Sequence, residues 1–267
     1  MSRAVAQRAI ELDGARIEYL EAGGGATMVF FHGAGGVSPN PAFISTLAKR
    51  YRILLPSRPG FDGSTGDAET IRDVARVMGS FVREMADGPV HLIGESAGGE
   101  PACWLAVLEP GIVESLVLVA PAAFHVRPPS ARHDPPPGQG ELEERLFGRS
   151  PAWSAPPTEE EVARRQKNSA YHMARWQSSE PDQELLRRLA EIQARTLVLW
   201  GTADRVIPPE QGELYQRSIP RAHLVYVYGA AHSLPVAAAG PFVRLVTGFI
   251  EQGETFVVNQ DPAAVAR

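Results

Sequence analysis

Cysteine is almost missing from this chain of 267 residues, Cys103 being the single one. No intrachain disulfide can form, a cysteine-built metal site is excluded, and a reducing compartment fits best. Long apolar runs are missing too. The longest are strand-sized, such as Leu116 to Ala123, far short of the ~20 residues that span a bilayer, so no membrane anchor is expected. The opening residues, Met1 to Glu11, are interrupted by Arg3, Arg8 and Glu11 and lack the apolar segment of a secretory signal. The expected location is the cytoplasm. Runs of positive charge are also absent beyond pairs such as Arg164-Arg165 and Arg187-Arg188, and the formal net charge is −5. Nucleic acid, which demands a basic footprint, is not an expected partner.

What is present is ordinary for a globular protein, with 44% hydrophobic and 21% charged residues. Ala9 to Asp13 and Arg16 to Glu21 read as a hairpin turning at Asp13-Gly14, followed by a buried strand, Thr27 to Phe31. A glycine-rich loop, His32 to Gly36, precedes a helix from about Pro41 to Lys49 and a short strand, Arg52 to Pro56. Thr70 caps the clearest helix, in which Ile71, Val74, Val77, Met78, Phe81, Val82 and Met85 keep helical spacing until Gly88-Pro89 ends it. Strand Val90 to Ile93, helix Ala97 to Leu108 and strand Ser115 to Ala120 continue the alternation, which predicts a parallel sheet with crossover helices.

Between about Pro121 and Pro157 prolines crowd the chain, at Pro128-Pro129, Pro135 to Pro137, Pro151 and Pro156-Pro157, and regular sheet is not expected. Thr158 and Glu161 have capping-box spacing and open a helix to about Trp176. Another follows Pro181 and Asp182 and ends near Ile192. Residues 121–190 therefore read as an insertion into one core made of 1–120 and 191–267. Alternation then resumes with strand Thr196 to Trp200, helix Pro209 to Ser218, strand His223 to Tyr228 and helix Pro241 to Glu251. Gly253 to Arg267 read as a loose tail.

Gly94-Glu95-Ser96-Ala97-Gly98 matches Gly-x-Ser-x-Gly between a strand and a helix. A sharp turn there exposes the serine hydroxyl at the carboxyl edge of the sheet, and the glycines let neighbouring backbone come close. The plainer alternative is a structural serine in a glycine-rich helix entry, although neither a P-loop nor a Rossmann turn fits these letters. A serine needs a base to take its proton. Of seven histidines, His232 is best placed, in the loop after the strand that ends near Tyr228. His91 lies inside a strand, His125, His133 and His172 lie in the insertion, and His223 begins a strand. The imidazole in turn needs a carboxylate to fix its tautomer, and Asp204 follows strand Thr196 to Trp200 in a short loop on the same edge. Acyl transfer also needs N–H donors for the oxyanion. Ala97, just after the serine, and Ala34, in the glycine-rich loop, offer them, with Gly35 as the alternative to Ala34.

With these residues in place, the chain resembles the α/β-hydrolase superfamily over nearly its whole length, the insertion excepted. The likeness rests on His32-Gly33, the turn Pro59-Gly60-Phe61-Asp62-Gly63-Ser64, the elbow at Ser96, Asp204 and His232. Two departures are Asp62, where a glycine is common, and Ser57-Arg58, where an Asp-x pair often stands. The resemblance implies an α/β fold with a mostly parallel, eight-stranded twisted sheet flanked by helices, residues 121–190 being an inserted helical cap. Serine at 96 sets the chain apart from the epoxide hydrolase and haloalkane dehalogenase branches, which use aspartate there.

The reading is a serine hydrolase with Ser96 as nucleophile, His232 as base and Asp204 as its orienting carboxylate, acting on a small ester, thioester or lactone without cofactor or metal. Alternatives are carbon–carbon bond hydrolysis or a lyase activity with the same triad, and a ligand-binding receptor in which the triad turns over slowly or not at all. The expected partner is a small-molecule substrate, with a homodimer one option for assembly. The cap aromatics Phe124, Phe147, Trp153, Tyr171 and Trp176, together with Met173, are candidate pocket walls, and Arg58 and Arg127 candidate residues of its mouth.

Overall fold

The structure, a computed structural model, describes residues 5–12, 14–37, 42–124, 138–149, 151–153, 155–176 and 180–256. Asp13, Pro41, His125, Arg127, His133 and the tail beyond 256 lie outside them. Eight strands form one sheet: β1 (Ala6–Leu12), β2 (Ala15–Gly23), β3 (Thr27–Phe31), β4 (Arg52–Pro56), β5 (Val90–Glu95), β6 (Val113–Val119), β7 (Arg195–Gly201) and β8 (Ala222–Val227). Their order across the sheet is β1-β2-β4-β3-β5-β6-β7-β8. β2 is antiparallel to β1 and to β4, and every pairing from β4 to β8 is parallel. The expected architecture is thus the observed one.

The side chains explain this sheet. In β5, Val90, Leu92 and Ile93 are wholly buried, as are Leu116, Val117 and Leu118 in β6 and Leu197, Val198 and Leu199 in β7. Strands apolar on both faces are stable only between two layers of helix. One layer contains α2 (Ile71–Met85), α3 (Gly99–Leu108) and α7 (Gly212–Ser218), and the other α1 (Ala42–Leu47), α8 (Leu234–Ala237) and α9 (Ala239–Gln252). Thr70 caps α2 as expected, accepting from the Asp73 N–H while Asp73 accepts from the Thr70 N–H.

Among the described residues, three further helices lie between β6 and β7: α4 (Gln139–Phe147), α5 (Glu159–Trp176) and α6 (Gln183–Arg188). The Thr158–Glu161 capping box at the start of α5 is formed in both directions. Helix α4 was not expected within the proline-dense segment, yet its nine residues contain no proline and an Arg145–Glu141 pair spans one turn. Helix α8 was also unforeseen. Its Pro235 sits in the first turn, where a missing N–H costs nothing. The start of the tail departs from a loose segment as well, because the Phe256 ring packs where Gly248 of α9 has no side chain.

The strand order places the site. From β3 the chain crosses outward to β4, then returns over β3 to β5, so the loops leaving the carboxyl ends of β3 and β5 part in opposite directions. A crevice opens between such loops in parallel sheets, and the glycine-rich loop and Ser96 flank it.

Candidate active site

Ser96 leaves the end of β5 with φ +50°, one of three non-glycine residues with positive φ among the described residues. That left-handed conformation costs a side-chain-bearing residue of order 1 kcal/mol or more. It lets Ser96 turn directly into a short 3₁₀ turn, Ser96–Gly98, that leads α3. The glycines at both ends of the motif are sterically required. A Cβ on Gly98 would sit 2.2 Å from the Phe31 carbonyl oxygen, and one on Gly94 would sit 2.7 Å from Ala102 Cβ.

His232 Nε2 lies 2.9 Å from Ser96 Oγ, and His232 Nδ1 lies 2.7 Å from Asp204 Oδ2. All three residues come from loops at the carboxyl ends of parallel strands, as expected of Ser96, Asp204 and His232. Asp204 Oδ1 accepts from the Val206 and Ile207 N–H groups at 2.8 and 2.9 Å, and Oδ2 also accepts from the Trp200 indole at 3.0 Å. A carboxylate so placed accepts from Nδ1, which fixes the imidazole tautomer and leaves the Nε2 lone pair for the serine proton. His232 is 2% exposed and Asp204 7%, so the imidazole–carboxylate pair is shielded from bulk water while Ser96 faces the cleft.

The loop after β3 runs beside the serine: a Cβ on Gly33 would lie 3.4 Å from Ser96 Cβ. The Ala34 N–H has no acceptor among the described residues, and Ala97 follows Ser96 at the head of the 3₁₀ turn. Ala34 and Ala97, the residues expected to supply donors, both line the cleft together with Ser96. His32 is buried and its Nε2 accepts from the Arg58 N–H at 3.0 Å, so its proton sits on Nδ1, which donates to the Gly33 carbonyl at 2.7 Å. Burial, and then the nearby Arg58 charge, hold this imidazole well below its ordinary pKa.

The expectation for Arg58 is corrected. Its side chain is 1% exposed and reaches between the two loops instead of the pocket mouth, donating to the Ala97 carbonyl at 3.2 Å and the Gly33 carbonyl at 3.3 Å. β4 ends at Pro56, and the turn after it carries Arg58 inward beneath the crevice.

Sequence reasoning also missed a second link between nucleophile and imidazole loops. Ser233 donates to Glu95 Oε1, joining the neighbours of His232 and Ser96, and burial raises the Glu95 carboxyl above its ordinary value. Position beside each site residue was the available signal. The carboxyl-terminal end of α4 braces the same loop, since the Arg145 and Leu146 carbonyls accept from the His232 and Ser233 N–H groups at 3.4 and 2.8 Å.

A cleft of about 1450 Å³ opens over Ser96. Of the aromatic and methionine residues proposed as walls, Phe147, Trp153, Met173 and Trp176 line it. Phe124 instead packs against Tyr215 in the core, and Tyr171 against Phe61. Helix α5 is fastened across the crevice by Asn168, whose Nδ2 donates to the Gly35 carbonyl at 3.1 Å and to Asp62 Oδ1 at 2.9 Å. Asp62 Oδ2 accepts from Ser57 Oγ at 2.6 Å. No helix among the described residues is long and apolar enough to cross a membrane.

Fold and site together define a hydrolase of the α/β type, and comparison with known proteins agrees. The model of the alpha/beta hydrolase family matches residues 28–245, and the chain belongs to that family. It is 26% identical over 274 residues to a 2-hydroxy-6-oxo-6-phenylhexa-2,4-dienoate hydrolase of Burkholderia cepacia, covering 89% of this chain and 92% of that one. It is 28% identical over 265 residues to the dihydrolipoyllysine-residue acetyltransferase component of the acetoin cleaving system of Cupriavidus necator, covering 91% and 68%. A serine hydrolase involved in carbazole degradation has the same fold, with a TM-score of 0.77 at 24% identity over 93% of this chain and 100% of that one.

Proposed function

We propose that this hydrolase cleaves a small ester, thioester or lactone through an acyl-enzyme on Ser96. The carrying observation is the unbroken relay from Ser96 Oγ to His232 Nε2 at 2.9 Å and from His232 Nδ1 to Asp204 Oδ2 at 2.7 Å. In this reading His232 takes the hydroxyl proton as Oγ attacks the acyl carbon, and Asp204 stabilises the imidazolium. The Ala34 and Ala97 N–H groups meet the oxyanion. His232 then gives its proton to the leaving oxygen or sulfur as that bond breaks. Water, deprotonated by the same imidazole, releases the acid and restores the serine. Residues 1–120 and 191–267 act as the core and 121–190 as a cap that supplies both apolar and charged side chains to the cleft wall.

The same relay supports a second reading, favoured by the Burkholderia cepacia relative. Hydrolysing a 2-hydroxy-6-oxo-dienoate, the substrate in that relative's name, breaks a carbon–carbon bond beside a ketone and needs a proton delivered to carbon instead of oxygen. The test is turnover of short p-nitrophenyl esters, lactones and such a dienoate by the wild-type protein and by Ser96→Ala, with fluorophosphonate labelling of the serine. Ester or lactone turnover that Ser96→Ala abolishes supports the first reading, and turnover confined to the dienoate supports the second. Activity kept by Ser96→Ala, or a serine that never labels, overturns both.

A further inference from the structure

Arg58 is a large charged side chain that is buried with no ion-pair partner among the described residues. Among the described residues no carboxylate stands within ion-pair distance of it, and its Nε has no hydrogen-bond partner. Its Nη1 and Nη2 donate to the carbonyls of Ala97 and Gly33, one on each side of the crevice, while its guanidinium lies 4.5 Å from the centroid of the Phe61 ring. The nearby Glu100 does not neutralise it at pH 7, because burial and then Asp182 raise that carboxyl to about 8. A buried, unpaired cation is costly, and evenly packed apolar side chains would fill the same space at less cost.

The geometry of the peptide units gives this charge a use. The Gly33 carbonyl and the Ala34 N–H are two ends of one amide. That carbonyl accepts from His32 Nδ1 at 2.7 Å, from the Gly36 N–H at 3.2 Å and from Arg58 Nη2 at 3.3 Å. Donors gathered on a carbonyl draw charge through the amide and strengthen the N–H at its other end. A fixed positive charge behind the crevice also favours negative charge in front of it, most of all where water is excluded.

We propose that Arg58 is a positioning residue for acyl transfer: clamped between the Ala97 and Gly33 carbonyls, it fixes and polarises the Gly33–Ala34 peptide so that the Ala34 N–H meets the oxyanion. The proposal rests on Ser96 acting as an acylated nucleophile. It concerns the transition state and not ground-state binding, which separates it from a purely structural role.

The experiment compares wild type with Arg58→Met, Arg58→Gln and Arg58→Lys on a short p-nitrophenyl ester. It also measures inhibition by a trifluoromethyl ketone, whose serine adduct carries an oxyanion, and by the matching methyl ketone, which binds as a ground-state mimic. Removing a direct oxyanion donor costs about 10²–10³ in kcat, so loss of its support is expected to cost about 10- to 100-fold, with KM little changed. The trifluoromethyl ketone weakens in parallel and the methyl ketone does not, with Arg58→Lys intermediate. If the Met and Gln variants do not fold, Arg58→Lys and the two ketones decide the matter alone. Unchanged kcat and trifluoromethyl ketone affinity, or equal weakening of both ketones, overturns the proposal. With fluorophosphonate labelling of Ser96 intact, that outcome leaves the serine-hydrolase reading standing; loss of labelling and ester turnover in the wild type overturns both.

Discussion

Four donors converge on the Asp204 carboxylate: two backbone N–H groups, the Trp200 indole and the His232 imidazole. An amide in its place would turn a donor toward one of these donors and upset the imidazole tautomer. Asp204→Asn is therefore expected to lower kcat by roughly 10³- to 10⁴-fold with KM largely kept, as steady-state ester hydrolysis will show. Trp200→Phe keeps most of the packing but removes one donor, a loss of about 1 kcal/mol that should appear as a several-fold fall in kcat. Ser96, Asp204 and His232 were legible in the sequence because each follows a recognisable strand in a short loop, and parallel strands bring such loops to one edge. Arg58 was not legible in its real place, since strand spacing says which edge a loop leaves from but not whether a side chain turns outward or under it. The Glu95–Ser233 bond joins positions 138 apart, and only the packing of the two loops reveals it.

Helix α5 shows how two departures from the family's usual turn fit together. Ser57 stands where that turn often has an acid, Asp62 stands where it often has glycine, and the two side chains are hydrogen-bonded to each other. Asp62 also adopts φ +51°, the backbone conformation for which glycine is ordinarily suited. Its second oxygen accepts from Asn168 of α5, so the displaced carboxylate has become an anchor for the helix over the cleft. Asn168→Ala cuts the bonds to Asp62 and to the Gly35 carbonyl together. The expected results are a stability loss of about 1–3 kcal/mol, read from denaturant midpoints, and faster amide exchange in α5 than in α2. Unchanged exchange in α5 would show that other contacts hold the helix. Most helices were visible from apolar spacing and caps. Helix α4 escaped because prolines on both sides of it masked a short helical stretch that has little apolar periodicity of its own.

Across the whole molecule, the half-buried Glu100 carboxyl links stability to pH. It is raised from 4.5 to about 8, chiefly by burial and then by Asp182. The native state therefore keeps a proton that the unfolded chain gives up, and stability contributed by this group is full below about pH 4.5, falls as pH rises to about 8, and is level beyond. Glu100→Gln cannot ionise, so its Tm relative to wild type should climb between pH 5 and 8; a constant difference would contradict the assignment. The sheet itself was readable from the alternation of strand and helix, and its eight-stranded extent from family likeness, because both depend on patterns that survive without knowledge of side-chain contacts. The topology has one more consequence, for a chain growing from the ribosome. The imidazole at 232 comes 136 residues after the hydroxyl at 96. At ~10 residues per second the strained turn at the end of β5 is made roughly 14 seconds before its partner exists, so a nascent chain carries the Ser96 hydroxyl without its imidazole partner until all eight strands have been synthesised.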